Sequence, residues 1–388
     1  MLIEMHMIQN HSPANLNRDD LGAPKTCLFG GVTRARISSQ CLKRSIRRSP
    51  EFSAALQRDG GVRTRRLIEE IARAAADNGK EPDANVISAV RSAFEESGVP
   101  VKNDGKTFDI LFFLPRSAIH EMGEAVRMKV DDLGSRFAEI IGKFVKTPDI
   151  ALFGRMTEFE AKGPFKDLKG KFTVEAALSA SHAISTHEVV TEVDYFTAAD
   201  DIPGSDAGAG HVNEAMFMSA CFYKHFVIDW KQLVTNLNND RDLARTTVEC
   251  FLKAAVKANP SGKQHSFAAF NPPDGVLVEL KENSPTPISY ANAFADPVNP
   301  RSPRGLVGES IARLGQYAND LNGSYGIEAQ RFWFSPNLRY HLTYVDKSKR
   351  EHEQVQPVTD EEFGKLDAFV NRIMDRLQKI MGSDGASA

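Results

Sequence analysis

A long stretch of helical patterns, residues 65–146, separates the first strand of the chain from the strands that follow it. Leu67 and Ile71 begin one amphipathic pattern, and a longer one runs at helical spacing from Ile119 to Phe144. Strand-like segments lie on both sides of this stretch, without a regular alternation of strand and helix. That order favours an α+β sheet domain into which a helical region has been inserted.

The segments around this insertion predict ordinary strands and helices. An alternation of apolar residues predicts a strand over residues 2–9, and short apolar runs predict others. A capping box, Thr359-x-x-Glu362, precedes apolar residues at helical spacing and predicts a C-terminal helix. Further strands are predicted over 149–153, 217–228 and 275–280, helices over 39–49 and 241–258, a proline-rich loop over 296–305, and a mobile glycine-rich hairpin tip over 198–214.

Composition excludes several classes of protein. Hydrophobic residues make up 41% and charged residues 26%, as in soluble globular chains, and no apolar run reaches the roughly 18 residues of a membrane span. The four cysteines form no CxxC pair, which argues against a zinc ribbon, a redox motif or a disulfide scaffold. The first residues lack the features of a secretory signal, so the sequence predicts a cytoplasmic protein with no membrane partner.

Charge is distributed unevenly along the chain. Residues 1–66 contain twelve Lys/Arg and five Asp/Glu, whereas the whole chain has a net charge of −3. The remaining residues therefore carry a net charge of −10. A basic N-terminal segment on an acidic body predicts a local site for a polyanion.

The positive charge is densest in residues 34–48, which contain six Lys/Arg and no acid. On the helix predicted there, Leu42 and Ile46 form an apolar stripe, while polar side chains form two further rows. Those rows are Gln40, Lys43 and Arg47, and Arg44 and Arg48. Ser38 or Ser39 caps the helix and adds donors suited to phosphate. The pattern fits a sugar–phosphate backbone, although a solvated surface helix has the same spacing.

Other candidate sites have stronger structural than functional interpretations. The Asn17-Arg-Asp-Asp20 segment is either a metal-binding acidic pair or a turn closed by its own side chains, and the turn is favoured. His182 and His187 have the wrong spacing for a metalloprotease helix. Tyr195 and Phe196 are either hairpin core or a wedge against a ligand, and the residues alone favour core. The sequence predicts no metal and no cofactor.

A series of short motifs follows in a fixed order over about residues 3–295. It consists of His11-Ser-Pro13, Leu16-Asn-Arg-Asp-Asp20, Phe29-Gly-Gly31, Arg36-Ile-Ser-Ser-Gln40, Leu42-Lys-Arg44, Asp149-Ile-Ala-Leu152, Gly154-Arg-Met156, Ser181-His-Ala-Ile-Ser-Thr-His187, Asp194-Tyr-Phe-Thr-Ala198, Phe222-Tyr223, Lys263-Gln264, Ala268-Ala-Phe-Asn-Pro272 and Ala291-Asn-Ala-Phe294. In this order the motifs resemble the CasC-type backbone subunit of type I-E CRISPR Cascade complexes, and the remainder of the chain matches weakly.

The resemblance implies an RRM-like (ferredoxin-like) palm, a helical fingers insertion and a thumb β-hairpin. The implied bounds are palm over 1–52, 148–188 and 222–295, fingers over 53–147, thumb over 189–221, and a variable loop with a C-terminal helical region over 296–388. The implied function is that of a non-catalytic scaffold. Several copies would form a hexamer-like filament along one CRISPR guide RNA, grip its backbone, and present it in segments to target DNA.

The resemblance also implies partners and contact residues. The partners would be the large subunit, the small subunit, the 5′-handle subunit and the 3′-hairpin endonuclease subunit of the complex. Tyr195 stands at a position that resembles a Trp position of the family, and the Tyr ring keeps an aromatic face there. Val212 stands where the family leads us to expect a longer aliphatic residue. With the cations of the basic segment, the predicted RNA-binding set is Arg18, Lys25, Arg34, Arg36, Ser38, Gln40, Lys43, Arg44, Arg47, Met156, Tyr195, Phe196, Val212, Lys263 and Gln264.

A second hypothesis is an enzyme. Relatives of this fold in type III effector complexes cut target RNA with a loop aspartate, and Asp194, Asp200 and Asp201 are the candidates here. Hydrolysis would require a metal ion or a base within reach of the scissile phosphate. The motifs match the type I-E form, so the sequence favours the scaffold.

Overall fold

The computed structural model describes residues 1–55, 60–76, 81–143, 147–168, 172–197, 212–283, 286–346 and 354–384. The chain divides into two compact units. The sheet unit comprises Met1–Ser49, Ser179–Ile228 and Phe251–Ala388, and the helical unit comprises Pro50–Leu178 and Asp229–Cys250. The predicted mixed α+β class is confirmed, whereas the finer division into palm, fingers and thumb stays a prediction.

The elements are as follows. The strands are β1 (Leu2–Ala14), β2 (Thr26–Phe29), β3 (Val32–Ile37), β4 (Gly61–Thr64), β5 (Phe112–Pro115), β6 (Leu178–Ala180), β7 (Ala183–Ser185), β8 (Glu192–Thr197), β9 (Val212–Asp229), β10 (Gly275–Lys281), β11 (Gln330–Phe334), β12 (Thr343–Asp346), β13 (Gln354–Pro357) and β14 (Glu361–Phe363). The helices are α1 (Ser39–Arg47), α2 (Pro50–Ala55), α3 (Leu67–Ala75), α4 (Ala84–Glu96), α5 (Arg116–Arg127), α6 (Leu133–Lys143), α7 (Pro148–Phe153), α8 (Trp230–Asn236), α9 (Arg241–Lys257), α10 (Gln264–Phe267), α11 (Gly305–Tyr325) and α12 (Leu366–Asp384), with 3₁₀ turns at Gly163–Leu168 and Ala291–Phe294.

One sheet of ten strands, counted over the described residues, forms the framework of the sheet unit. Its order is β14-β11-β10-β1-β9-β7-β3-β2, and β6 and β8 also pair with β9. β1 and β10 are antiparallel, with Leu2 opposite Lys281 and Ile8 opposite Gly275. Both strands are buried over nearly their whole length. Side chains on either face of this central pair must therefore find partners inside the protein.

Helix α11 covers part of the sheet and was not predicted. Its Ile311, Leu314 and Ala318 pack in a buried cluster with Leu277 of β10 and Trp333 of β11. The helix contains several glycines, which weaken a helical prediction. One of them is required by packing, because a Cβ on Gly315 would lie 2.3 Å from the backbone oxygen of Thr343.

Two local predictions are wrong. Residues 149–153 form helix α7 instead of a strand, because Thr147 stands in the N-cap position and Pro148 at the first helical position favours that start. The capping box does not start the C-terminal helix, which begins at Leu366. Residues Glu361–Phe363 instead form β14, which pairs in parallel with β11. A strand pairing has overridden a local signal in that segment.

The helical unit confirms that the long insertion is mainly helical. Helices α3 to α6 surround a buried apolar cluster, and Phe94 lies among its rings. The short hairpin of β4 and β5, which the sequence did not predict, packs its Phe112 into the same cluster. The predicted helices at 39–49 and 241–258 and the predicted strands at 2–9, 217–228 and 275–280 are confirmed.

Two further observations bear on the sequence predictions. No helix in the described part of the chain is long and apolar enough to cross a membrane. Most of the glycine-rich segment predicted as a mobile hairpin tip, residues 198–211, lies outside the described residues.

Candidate nucleic-acid interface

Helix α1 places the basic segment on the surface of the sheet unit. Ser38 is its N-cap, and the Ser38 hydroxyl accepts a hydrogen bond from the Cys41 N–H at 3.3 Å. Leu42 and Ile46 are buried and anchor the helix. Side chains on the other faces remain accessible: Gln40 and Arg44 are exposed, and Lys43 and Arg47 are half-buried. The pKa of Lys43 is lowered by burial.

Asn17 connects the loop that precedes β2 to the start of this helix. Its side-chain oxygen accepts a hydrogen bond from the Ser38 N–H at 2.8 Å. Its backbone oxygen accepts one from the Lys25 N–H at 2.9 Å, and the Lys25 oxygen accepts one from the Arg36 N–H at 2.9 Å. The loop, β3 and the N-terminus of α1 are thereby fixed together.

The loop itself is a turn closed by Asp19. The Asp19 carboxylate accepts hydrogen bonds from the Leu21 and Ala23 N–H groups, each at 2.9 Å. An isolated bridge between Arg18 and Pro24 closes its base. The structural interpretation of Asp19 therefore holds, because its Oδ1 already accepts two backbone hydrogen bonds. Arg18 is exposed beside this rigid turn.

Arg36 contacts His182, a histidine to which its spacing in the sequence gave no functional role. One guanidinium nitrogen of Arg36 lies 3.2 Å from Nδ1 of His182, at the surface. Burial and the charges of Arg36 and Lys25 lower the pKa of His182. A neutral His182 can orient Arg36 without adding charge of its own, and only the fold could reveal this pairing.

Arg34, in contrast, cannot take part in this surface. Its guanidinium is fully buried and donates hydrogen bonds to four backbone oxygens, those of Phe29, Ser185, Phe294 and Ala295, at 2.7–3.1 Å. A guanidinium with these partners has no donors facing solvent. The predicted contact of Arg34 with RNA is thus corrected to a structural role, that of joining β3 to the segment around Phe294.

The predicted contact pair Lys263 and Gln264 is divided in the same way. A Cβ on Gly262 would lie 2.4 Å from the Leu16 oxygen, so glycine allows this segment to pack against the N-terminal loop. Lys263 follows, half-buried, beside the loop that carries Arg18. Gln264 is buried, and its amide donates to the Pro260 and Ala269 oxygens at 2.9 and 3.2 Å. Gln264 therefore supports the turn, and Lys263 alone faces outward.

The predicted aromatic wedge lies on an exposed strand. β8 pairs antiparallel with the first residues of β9, with Tyr195 opposite Glu214 and Phe196 opposite Asn213. The side chains of Tyr195 and Phe196 are 68% and 49% exposed, so neither forms a hairpin core. The aromatic faces are available to a ligand, as the resemblance implied and as the residues alone did not.

The remaining predicted contacts are less well placed. The backbone of Val212 begins β9, and its side chain lies outside the described residues. Met156 is exposed on the helical unit. Asp194 is exposed on β8, and Asp200 and Asp201 lie outside the described residues.

The charges around the helix start act on one another. Burial raises the pKa of the Cys41 thiol, and the positive charges of Lys224, Arg44 and Lys25 oppose that rise. Lys224 is buried, whereas Arg44 and Lys25 reach the surface. These cations all lie within electrostatic range of Cys41 and form a positive field suited to a polyanion.

The described residues of this surface do not form a metal centre for hydrolysis. Within the described residues, the group of side chains able to hold an ion is Glu4, His6 and His225, and all three are buried in the sheet unit. Asp194 does not belong to this group.

Comparisons with known proteins give a consistent result. A protein-family model described as CT1975-like protein matches residues 3–361. A solved chain of a "CRISPR RNA-guided surveillance complex, pre-nicking" is similar in structure, with 28% identity, a TM-score of 0.82, and coverage of 97% of this chain and 100% of that chain. A chain of a "CRISPR RNA-guided surveillance complex" has the same fold, with 24% identity, a TM-score of 0.72 and the same coverage. No curated protein matches.

Proposed function

Because the chain belongs to the CT1975-like family of Cas proteins, we propose that it is a non-catalytic backbone subunit of a CRISPR Cascade complex that binds the guide RNA. In this role it grips the RNA through phosphate contacts and holds it in segments for pairing with target DNA. The finer assignment to type I-E rests on the motif resemblance.

One observation carries the RNA-binding proposal. The loop of Arg18 and Lys25 and strand β3 with Arg36 are hydrogen-bonded to each other and to the start of α1, and Lys25 and Arg44 both lie within electrostatic range of Cys41. Phosphate contacts by such side chains fix a nucleic acid in place without reading its sequence. That property suits a subunit that must accept any guide.

The exposed aromatic residues support the second part of the proposal. Tyr195 and Phe196 project from β8, on the hairpin that the sequence analysis interpreted as a thumb. An aromatic face can stack on a nucleobase of any identity. We propose that these rings displace one base at each subunit as copies assemble on the guide, with the other Cascade subunits at the ends and along the filament. The assembly would act in the cytoplasm.

The alternative, a metal-dependent RNase, has no observation in its favour. Asp194 is an exposed carboxylate on β8 outside the metal-capable group of the described residues, and hydrolysis of a phosphodiester needs a metal ion or a base beside it. Incubation of the assembled complex with complementary RNA and magnesium tests this directly. Regularly spaced cleavage that a chelator abolishes would contradict a scaffold without catalysis.

The RNA-binding proposal is tested by the double variant Arg18→Gln and Arg44→Gln. Both side chains are exposed, so the fold should tolerate the change. The affinity for single-stranded RNA should fall for all sequences alike, and the slope of log affinity against log salt should flatten by about 0.7 for each lost contact. Filter binding over a salt series measures both.

The matched control is Arg127→Gln, an exposed arginine at the end of α5 in the helical unit. Its RNA affinity and salt slope should equal those of the unmodified protein. A loss confined to one RNA sequence, or an equal loss in the control, would overturn the backbone-grip mechanism.

A further inference from the structure

A cluster of charged side chains lies inside the sheet unit, away from the basic surface. Glu4 and His6 on β1 and Glu279 and Lys281 on β10 have no exposed surface. Adjacent strands bring them together, because the register of β1 and β10 places Glu4 opposite Glu279. Buried charges are costly unless they are paired, so the arrangement of their partners decides what this cluster does.

His6 lies between two carboxylates. Its Nε2 is 3.6 Å from Oε2 of Glu4 and 3.5 Å from Oε2 of Glu279. Its other ring nitrogen, Nδ1, lies 2.9 Å from the Tyr223 hydroxyl. Each nitrogen thus faces an oxygen that can accept a hydrogen bond, which is the environment that an imidazolium requires.

The carboxylates are themselves held by cations and amides. Glu4 lies 2.9 Å from Nζ of Lys281 and accepts a hydrogen bond from the Ile288 N–H at 3.2 Å. Glu279 accepts hydrogen bonds at 2.8 Å from Nε of Arg331 and from the Tyr290 hydroxyl. The cations Lys281 and Arg331 balance both carboxylates, and a proton on His6 would give the cluster one positive charge.

A metal ion is the other occupant that these residues suggest. The ring planes of His6 and His225 are stacked, with centroids 4.5 Å apart and an angle of 12°. Imidazole lone pairs lie in the ring plane, so two stacked rings cannot both direct Nε2 at one ion. Lys281 also already supplies positive charge to Glu4. The geometry therefore suits a proton on His6 better than a metal.

The cluster fastens one segment of chain to the sheet. In residues 288–295, Ile288 donates to Glu4, and Tyr290 donates through its backbone to Tyr223 and through its hydroxyl to Glu279. Asn322 of α11 donates to the Tyr290 hydroxyl at 2.9 Å. The far end of the same segment accepts hydrogen bonds from Arg34, at Phe294 and Ala295.

We propose that His6 is a buried proton switch: in its protonated form it bridges Glu4 and Glu279 and clamps residues 288–295 to the sheet, and loss of the proton loosens the clamp. This inference concerns the fold of the sheet unit and does not depend on RNA binding.

The electrostatics agree with this proposal. Burial disfavours the charged form of His6, but the hydrogen bonds and charges of Glu279 and Glu4 outweigh it, and its pKa is raised. Burial lowers the pKa of the neighbouring His225 to about 4, so that residue is neutral. The other titratable or charged groups around His6 are Glu4 on its own strand, Tyr223 on β9, Glu279 and Lys281 on β10, Tyr290 in the clamped segment and Arg331 on β11.

The sign of the pH effect follows from the raised pKa. A group that binds its proton more tightly in the folded state stabilises fully below its unfolded pKa near 6.5, and this stability is lost as the pH rises through the folded pKa. Within that window, the equilibrium for opening the clamp should shift by up to about tenfold for each pH unit.

Hydrogen exchange of the full chain between pH 6 and pH 9 tests the proposal, with rates corrected for the intrinsic dependence on pH. Protection of the amides of 288–295 should fall as the pH rises in the unmodified protein. In His6→Gln protection should be low at pH 6 and change little with pH. His182→Gln, which changes an exposed histidine, should keep the pH dependence of the unmodified protein.

Two outcomes would overturn the proposal. One is that His6→Gln and the unmodified protein show parallel pH profiles. The other is that zinc raises the melting temperature of the unmodified protein and not that of His6→Gln, which would identify a metal site. If His6→Gln does not fold, nuclear magnetic resonance of the unmodified protein with labelled histidine still decides. A neutral His6 at pH 6 would contradict the clamp.

Discussion

Both units of this protein bury an apolar cluster, but the sheet unit also buries a cluster of charged side chains at the centre of its sheet. In the helical unit, the ring of Phe94 lies 5.0–5.7 Å from four other phenylalanine rings, those of Phe108, Phe112, Phe137 and Phe165. In the sheet unit, the centre of the sheet carries Glu4, His6, Glu279 and Lys281. An apolar interior responds to lost volume, whereas an ionic interior responds to a lost partner or a lost proton.

The stability of the two interiors should respond to different changes in sequence and pH. Rings that pack edge to face contribute through area and contact, which change little with pH. Ion pairs out of water contribute only while both members are present and correctly charged. Solution conditions should therefore act on the sheet unit and leave the core of the helical unit unchanged.

The largest effect is expected from Phe94→Ala. Removal of a ring that contacts four others leaves a cavity and should cost about 3–5 kcal/mol of unfolding free energy. The loss, measured by urea denaturation, should be the same at pH 5 and pH 8. Because the chain has two compact units, probes in each should be followed separately. If the cost of the substitution varies with pH, titratable groups contribute to the interior of the helical unit as well.

Lys281→Met should cost about 3 kcal/mol, since Glu4 would remain buried without its ammonium partner while keeping the Ile288 amide. The matched control is Lys143→Met in the helical unit, where the lysine is 66% exposed and its ion pair with Glu121 contributes little. Chemical denaturation at pH 7 measures both variants. Equal losses of unfolding free energy in the two variants would mean that the buried ion pair contributes no more than the exposed one.

The same cluster should cause part of the decrease in unfolding free energy at acidic pH. Burial opposes the charged form of Glu279, but His6, Lys281 and Arg331 lower its pKa to about 2. A carboxylate with a depressed folded pKa stabilises above its unfolded pKa near 4.5, and that stability is lost as the pH falls toward 2. In Glu279→Gln the unfolding free energy should therefore fall by about 2 kcal/mol less between pH 5 and pH 2 than in the unmodified protein. If the unfolding free energy of the variant falls as steeply as that of the unmodified protein, other groups cause the acid sensitivity.

The smallest change in stability is expected from the exposed rings of β8. Tyr195→Ala with Phe196→Ala should alter the unfolding free energy by no more than about 0.5 kcal/mol, because neither ring packs in a core. The same variant should reduce cooperative loading of copies along a long guide RNA, since each lost stack weakens binding by about 1–3 kcal/mol. A large loss of stability with unchanged loading would identify the pair as core.

The sequence was informative where structure is decided locally. The cap at Ser38 and the stripe of Leu42 and Ile46 predicted α1 because both act within one or two helical turns. The motifs that predicted the family rely on ordered positions along the chain. The strand predicted at residues 149–153 failed because a short apolar run fits a buried strand and a buried helix equally well.

Interactions between distant residues could not be predicted. Arg34 looks like its neighbour Arg36, yet its guanidinium is taken by oxygens that follow it by as many as 261 positions. Glu4 and His6 lie in a segment that looks like an apolar strand, and their partners on β10 follow more than 270 positions later. Burial of this kind is a property of strand order and helix placement, and no single segment encodes it.

Strand β9 belongs both to the exposed hairpin and to the buried cluster. Its first residues pair with β8 beside Tyr195, and its later residues Tyr223 and His225 stand against His6. An extended strand has no slack, since each residue already spans about 3.3 Å. A pull on the hairpin along the strand would load the backbone ladder of the sheet in shear, and many hydrogen bonds would have to break together. The hairpin should therefore withstand tension that would peel away an arm attached by a loop.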